Sequence, residues 1–372
     1  MHQRVLFAVS GHGFGHLGQT APVISALQRT RPDLEIIIRT RLPAFKLREK
    51  LGDRLRIQPA DVDVGIVQKD ALRIDLDETA SQYAKLHARW ESLLQKEQAE
   101  LRLVAPDLVI ANIPYLTLAA AQQLGIPTIA FCSLNWAEIY QHLFGQRAEA
   151  QPILRQMLDA YNQAGCFLQP APAMPMPGIT NGIPIGPVAE IGRDVSEKLR
   201  ARLKADESVR VVLVSLGGME LQTACENWPR FAGLRFLVPA SWHSRHPDTA
   251  TIEALEYPFT DLLRSCDVLI AKPGYGSFVE AACSGTPVLY LPRRQWPEAT
   301  ILIDWLSEQG TCRPISATEF QAGYLEGYVQ GVVSASNHRA VDPTGIGEAL
   351  QTICRCLVRC GTKGSLPIGK LK

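Results

Sequence analysis

Val5-Leu6-Phe7-Ala8-Val9-Ser10-Gly11-His12-Gly13-Phe14-Gly15-His16 begins as an unbroken apolar run and ends with three glycines at alternate positions. Five consecutive apolar residues have the length and pattern of a strand buried on both faces, as in parallel sheets. Glycines placed directly after such a strand let backbone approach a ligand, and a following helix presents its first amides there. The spacing is not the GxGxxG dinucleotide fingerprint and no acidic residue closes the next strand, which argues against a nicotinamide cofactor. Imidazole titrates near neutrality, so His12 and His16 are candidate general bases, with helix capping as the bland alternative.

Outward from this stretch, strand-like runs at 34–38, 108–111, 128–131 and 166–168 alternate with helical patterns at 22–29, 80–103 and 115–124. The long pattern places Tyr83, Leu86, Trp90, Leu93 and Leu94 on a helical period. Six prolines between 169 and 187 rule out a helix or a central strand and put an interdomain connection near 186–192. Alternation then restarts, with strands at 211–215, 235–238, 268–271, 288–291 and 312–315 and helices at 259–265, 277–284 and 299–309. The expected class is α/β: two Rossmann-like doubly wound domains, 1–187 and 193–342, facing across a cleft. A closing helix at 343–360 and a flexible tail at 361–372 complete the chain. In such folds ligands bind in loops that directly follow strands.

Composition narrows the partners. Of 372 residues 46% are hydrophobic, enough to exclude disorder, and 38 Lys+Arg against 37 Asp+Glu supply no basic face for nucleic acid. No run approaches the roughly 20 apolar residues of a membrane span, and no signal peptide is evident, so a cytoplasmic protein is expected. Peripheral contact with a membrane surface stays open. Nine cysteines, an odd number lying mostly in apolar runs, read as reduced thiols. Cys354, Cys356 and Cys360 lack the paired spacing of a zinc site.

The second half carries the anion-binding signals. The strand at 268–271 enters Lys272-Pro273-Gly274-Tyr275-Gly276-Ser277, whose backbone, with Ser277 as helix N-cap, suits a diphosphate. Glu280 is placed to accept from ribose hydroxyls or, alternatively, to close a capping box with Ser277. Gly217-Gly218 forms a second close-approach loop, and Arg293, Arg294 and Glu298 stand at another strand-to-helix junction. Asp61-Val-Asp63 and Asp75-Leu-Asp77 match a metal-holding DxD pattern, but Lys272 and helix amides would replace a cation, so no metal is expected. Ser133 lacks a nucleophile elbow. His243 and His246, with no acidic partner in sequence, are expected at the surface.

These loops in a two-Rossmann chain resemble the GT-B glycosyltransferases. More narrowly, residues 11–16, Asp63 to Asp70, Asn135-Trp136, Lys272 to Glu280 and Arg293-Arg294 resemble the glycosyltransferase-like N-terminal region of L-arabinokinase-type proteins and bacterial relatives. The broader pattern is similar to the peptidoglycan N-acetylglucosaminyltransferase and to UDP-glucuronosyltransferases. The resemblance implies an acceptor side with His12, Gly13, Gly15, His16, Asp63, Gln68, Asp70, Asn135 and Trp136. It also implies a donor side with Gly217, Gly218, Lys272, Gly274, Tyr275, Gly276, Ser277, Glu280, Arg293 and Glu298. In the arabinokinase-type loop an arginine follows the last histidine by three residues, where this chain has Gln19.

The expected activity is metal-independent transfer of a sugar from a nucleoside diphosphate-sugar, a UDP-sugar foremost, to a small acceptor hydroxyl. His16 is the expected base, and no bound cofactor is needed. A nucleotide-sugar hydrolase or 2-epimerase on the same fold, or a noncatalytic sugar-nucleotide-binding module, are the alternatives.

Overall fold

A computed structural model describes residues 3–61, 63–68, 74–217, 225–293, 296–337 and 339–361. Among them the chain forms two compact units. The first takes the residues up to Gln68, Ile74–Val188 and the segment from Thr344 onward, and the second takes Ala189–Pro343.

The first unit is built on parallel strands β1 (Arg4–Val9), β2 (Glu35–Thr40), β3 (Arg56–Pro59), β4 (Leu108–Asn112), β5 (Thr128–Phe131), β6 (Cys166–Pro170) and β7 (Gly182–Ile185). Their order is β3-β2-β1-β4-β5-β6-β7. Val5, Leu6, Phe7, Ala8 and Val9 are all fully buried, because helices cover both faces of β1. The chain runs from β1 toward one edge and returns to place β4 on the other side of β1. That reversal is a topological switch point, where the carboxyl ends of the two strands splay loops apart.

The second unit repeats the plan with β8 (Arg210–Ser215), β9 (Leu234–Val238), β10 (Thr249–Thr251), β11 (Val268–Ala271), β12 (Val288–Tyr290) and β13 (Cys312–Pro314), in the order β10-β9-β8-β11-β12-β13. Its switch point lies between β8 and β11, whose residues Ser215 and Ala271 are paired.

Several elements depart from the sequence reading. The pattern at 80–103 is two helices, Leu76–Ala88 and Trp90–Val104, broken at Arg89. The break lets His87 stack on Trp90, with ring centroids 5.5 Å apart and planes 2° from parallel. The first helix starts at Gly15 rather than at Pro22, which lies inside Gly15–Thr30. That earlier start puts His16 in the first helical turn. Strands β3, β7 and β10 were not foreseen. They are short edge strands with proline or polar residues, and β7 tolerates Pro184 because an edge needs fewer ladder donors.

The helix expected to close the chain, Gly345–Gly361, packs on the first unit. Ala349, Ile353 and Leu357 join Val5, Ile24 and Ile36 in one core, and Gln3 Nε2 donates to Leu357 O at 3.0 Å. The tail beyond it lies outside the described residues. Cys132, Cys166, Cys225, Cys266 and Cys283 are buried and Cys312, Cys354 and Cys356 partly buried, and none of them forms a disulfide among the described residues. No helix among the described residues is long and apolar enough to cross a membrane.

Candidate functional site

At the first unit's switch point the loop after β1 meets the end of β4. Ser10 N donates to Asn112 O at 2.7 Å, which ties the loop to the sheet, and Gly13 turns it with φ of +70°. A side chain at Gly11 would overlap Arg41, whereas a Cβ at Gly13 or Gly15 would meet nothing within 4 Å. The outer part of the loop is therefore open.

His16 is 6% exposed and its Nδ1 lies 2.7 Å from Asn112 Oδ1. Burial holds this imidazole below its ordinary value, against the Asn112 hydrogen bond and the nearby Asp63 carboxylate. Asn112 Nδ2 donates to Gln19 Oε1 at 3.1 Å, and Gln19 Nε2 donates to Ser133 Oγ at 2.6 Å. Trp136 Nε1 donates to Asp63 Oδ2 at 2.8 Å, while the buried Oδ1 has no hydrogen-bond partner among the described residues. Burial pushes the Asp63 carboxyl above the usual range, opposed by Ser10, His16 and Trp136. His12 and His16 lie against the Trp136 ring at centroid distances of 5.4 and 5.6 Å. Gln68 Nε2 donates to His12 Nε2 at 3.2 Å.

Of the acceptor-side residues expected from sequence, His12, His16, Asp63, Gln68 and Trp136 thus form one cluster. Asn135 caps the helix Trp136–Phe144 through its Oδ1, and its buried Nδ2 has no hydrogen-bond partner among the described residues. Asp70 lies outside the described residues. Asn112, Gln19 and Ser133 were missed as site residues, although Asn112 is signalled in sequence by an amide ending a wholly apolar strand. In the aspartate pairs, Asp61 is exposed beside Arg41 at 3.4 Å and Asp75 caps Leu76–Ala88.

At the second unit's switch point Gly217, φ +80°, follows β8, and Lys272 follows β11. Burial and neighbouring Arg293 bring the Lys272 ammonium down to about 8. The helix Tyr275–Ser284 starts immediately after, with Gly274, which has no side chain to bond its first amides, at the N-cap. This corrects the expectation of Ser277 as N-cap: Ser277 is the third helical residue. Glu280, 6% exposed, is consequently not in a capping box with it. A Cβ at Gly276 would meet nothing within 4 Å.

Arg293 is 7% exposed with its guanidinium 4.6 Å over the Trp296 ring. Trp296 is held in turn by its Nε1 donating to buried Glu298 at 3.2 Å. Burial lowers the Arg293 guanidinium from its ordinary value, against Glu298. Its Nε and Nη2 have no hydrogen-bond partner among the described residues. Those two atoms form the side-on fork of a guanidinium, which fits a two-oxygen anion. Elsewhere in this chain the same fork grips a carboxylate: Arg31 on Asp33, Arg193 on Asp261 and Arg230 on Asp248. Gly218 and Arg294 lie outside the described residues. His246, expected at the surface, is buried, its Nε2 3.2 Å from Trp228 O and its Nδ1 accepting from Asp248 N.

Both units thus place polar groups at their switch points, as doubly wound nucleotide-binding folds do. L-arabinokinase of Arabidopsis thaliana is 24% identical over 310 residues, 82% of this chain, and the chain spans 30% of that relative's length. A crystal structure of the glycosyltransferase of kitacinnamycin matches with a TM-score of 0.60 at 17% identity, covering 96% of this chain and 95% of that one. The fold is that of the GT-B glycosyltransferases. A UDP-N-acetylglucosamine 2-epimerase shares it, with a TM-score of 0.53 at 14% identity over 99% of both chains. No protein-family model matches the chain.

Proposed function

We propose that this GT-B protein transfers a sugar from a nucleoside diphosphate-sugar, a UDP-sugar foremost, to a hydroxyl of a small acceptor without a metal ion. The observation that carries the reading is the cationic switch point of the second unit. Lys272 is partly buried next to the buried Arg293, whose Nε and Nη2 make no hydrogen bond among the described residues, and the helix Tyr275–Ser284 starts shortly after Lys272. Two cations drawn close together and partly out of water favour an added anion, and a diphosphate is one. Glu280 would accept from the ribose hydroxyls.

His16 in the first unit would take the acceptor's hydroxyl proton on Nε2 as the oxygen attacks the anomeric carbon. The bond from that carbon to the diphosphate oxygen breaks, and Lys272, Arg293 and the helix amides stabilise the departing charge. The kinship in fold with a 2-epimerase supports a second reading, release or isomerisation of the sugar with no acceptor. A noncatalytic sugar-nucleotide-binding module is the third.

A melting-temperature panel of nucleoside diphosphates and their sugars, with a chelator present, tests the site first. Stabilisation without divalent metal supports the reading, and full dependence on magnesium or manganese rejects it. Turnover of the stabilising donor then separates enzyme from binding module, and dependence on acceptor separates transfer from hydrolysis or epimerisation.

A further inference from the structure

Hydrogen bonds behind His16 run in one line, and the line has a direction. Ser133 Oγ accepts from Gln19 Nε2, Gln19 Oε1 accepts from Asn112 Nδ2, and Asn112 Oδ1 meets His16 Nδ1. A carboxamide has one donor end and one acceptor end. With its nitrogen on Ser133, Gln19 offers Asn112 only an oxygen. Asn112 therefore turns its own nitrogen to Gln19 and its oxygen to the imidazole. An amide oxygen only accepts, so Nδ1 must carry the ring proton and Nε2 the lone pair. Asn112 is 1% exposed, Gln19 3% and Ser133 fully buried, which leaves little room for water to replace a link. Nε2 makes no hydrogen bond among the described residues.

We propose that Gln19, Asn112 and Ser133 are positioning residues that fix His16 as its Nδ1–H tautomer and so keep Nε2 ready to accept a proton. Three further groups face this ring: Cys132, whose Sγ is 3.8 Å from Nδ1, Asp63, and His12 at a centroid distance of 6.4 Å. None reverses the line. A thiol bonds weakly, Asp63 accepts from Trp136 at Oδ2 and makes no hydrogen bond to the ring through Oδ1 among the described residues, and the Nε2 of His12 accepts from Gln68. The catalytic consequence rests on the reading of His16 as base. The tautomer does not, because it belongs to the ligand-free protein.

The chain has eight histidines, so long-range proton–nitrogen spectra of the full chain labelled with ¹⁵N-histidine are tractable, His16 being assigned by its loss in His16→Gln. At pH 7.5 the wild type should show a protonated Nδ1 and an unprotonated Nε2 for His16. Gln19→Glu keeps an oxygen for Asn112 Nδ2 and should preserve this pattern. Gln19→Met removes the acceptor, and the two ring nitrogens should move toward averaged shifts. In a donor-turnover assay Gln19→Met should lower kcat at least tenfold with donor KM unchanged, and Gln19→Glu should recover most of it. A wild-type spectrum with the proton on Nε2 overturns the proposal whether or not any variant folds. So does a folded Gln19→Met protein with the wild-type pattern. If the tautomer stands and no donor is turned over, it is the glycosyl-transfer reading that fails.

Discussion

Gly217 lies against the Lys272 ammonium: a Cβ built at 217 would stand 3.0 Å from Lys272 Cε and 3.3 Å from Nζ. The two residues follow adjacent strands, β8 and β11, and Gly217 has the positive φ that side chains resist. Gly217→Ala should therefore carry a backbone cost of about 1 kcal/mol or more and displace the ammonium as well. Nucleoside diphosphate affinity should fall roughly tenfold, which a single charged hydrogen bond weakened by about 1.4 kcal/mol accounts for. Calorimetric titration showing wild-type affinity would remove Lys272 from the anion site.

Lys272 also sets a pH dependence. Its ammonium in the free protein titrates near 8 rather than 10.5, because burial and Arg293 disfavour the charge. A bound diphosphate favours the protonated form, so binding takes up a proton above that value. Affinity should be flat below about pH 8 and weaken as pH rises through it, up to tenfold per unit. Lys272→Met should bind more weakly and lose this slope. A wild-type slope retained in the variant assigns the titration to another group.

Arg293 couples stability to function with opposite signs. Burial disfavours its charge more than Glu298 offsets it, and its Nε and Nη2 have no hydrogen-bond partner among the described residues; replacing such a group by an apolar one is often neutral or stabilising. Arg293→Met should leave the melting temperature unchanged or raise it while weakening nucleoside diphosphate binding at least tenfold. Arg293→Lys, which cannot form the fork, should not restore affinity. A large drop in melting temperature with unchanged affinity would make Arg293 a packing residue over Trp296.

Glu280 tests the ribose contact. Gly274, not Ser277, caps the helix, so a capping role no longer competes. Glu280→Gln should weaken nucleoside diphosphate binding by about 1–3 kcal/mol and leave inorganic pyrophosphate binding unchanged, because only the former has a ribose. Equal losses for both ligands would place Glu280 elsewhere in the site.

Much of this was legible in sequence, for physical reasons. Strands buried on both faces, such as β1 and β11, announce themselves as apolar runs, and the glycines after them mark backbone that must turn or be approached. Edge strands such as Arg56–Pro59 and Gly182–Ile185 are half-solvated and proline-bearing, so their pattern is weak. The switch-point loops could be found because they are contiguous. The amide line behind His16 could not, since Gln19, Asn112 and Ser133 are 93 and 114 positions apart in their pairings and meet only through sheet order. His246 misled for the same reason: its surroundings include Trp228, 18 positions away, which no local pattern reveals.

Histidine chemistry gives the last prediction. Burial keeps His16 below its ordinary pKa, so the neutral, proton-accepting form should persist at pH 6.5 and the acid limb of kcat/KM should lie below it. Asn112→Asp puts a carboxylate where an amide oxygen now sits 2.7 Å from Nδ1, which favours the imidazolium and should move that limb to higher pH. His16→Ala should lower kcat by roughly 10²- to 10⁴-fold with donor KM nearly unchanged, because the base acts on the acceptor in the transition state. His12→Ala should cost less, since its Nε2 accepts from Gln68 and is not offered to a hydroxyl. If His12→Ala proves the more damaging change, the two histidines exchange roles. If Asn112→Asp leaves the acid limb in place while His16→Ala abolishes turnover, His16 acts by contact with the acceptor and not by taking its proton.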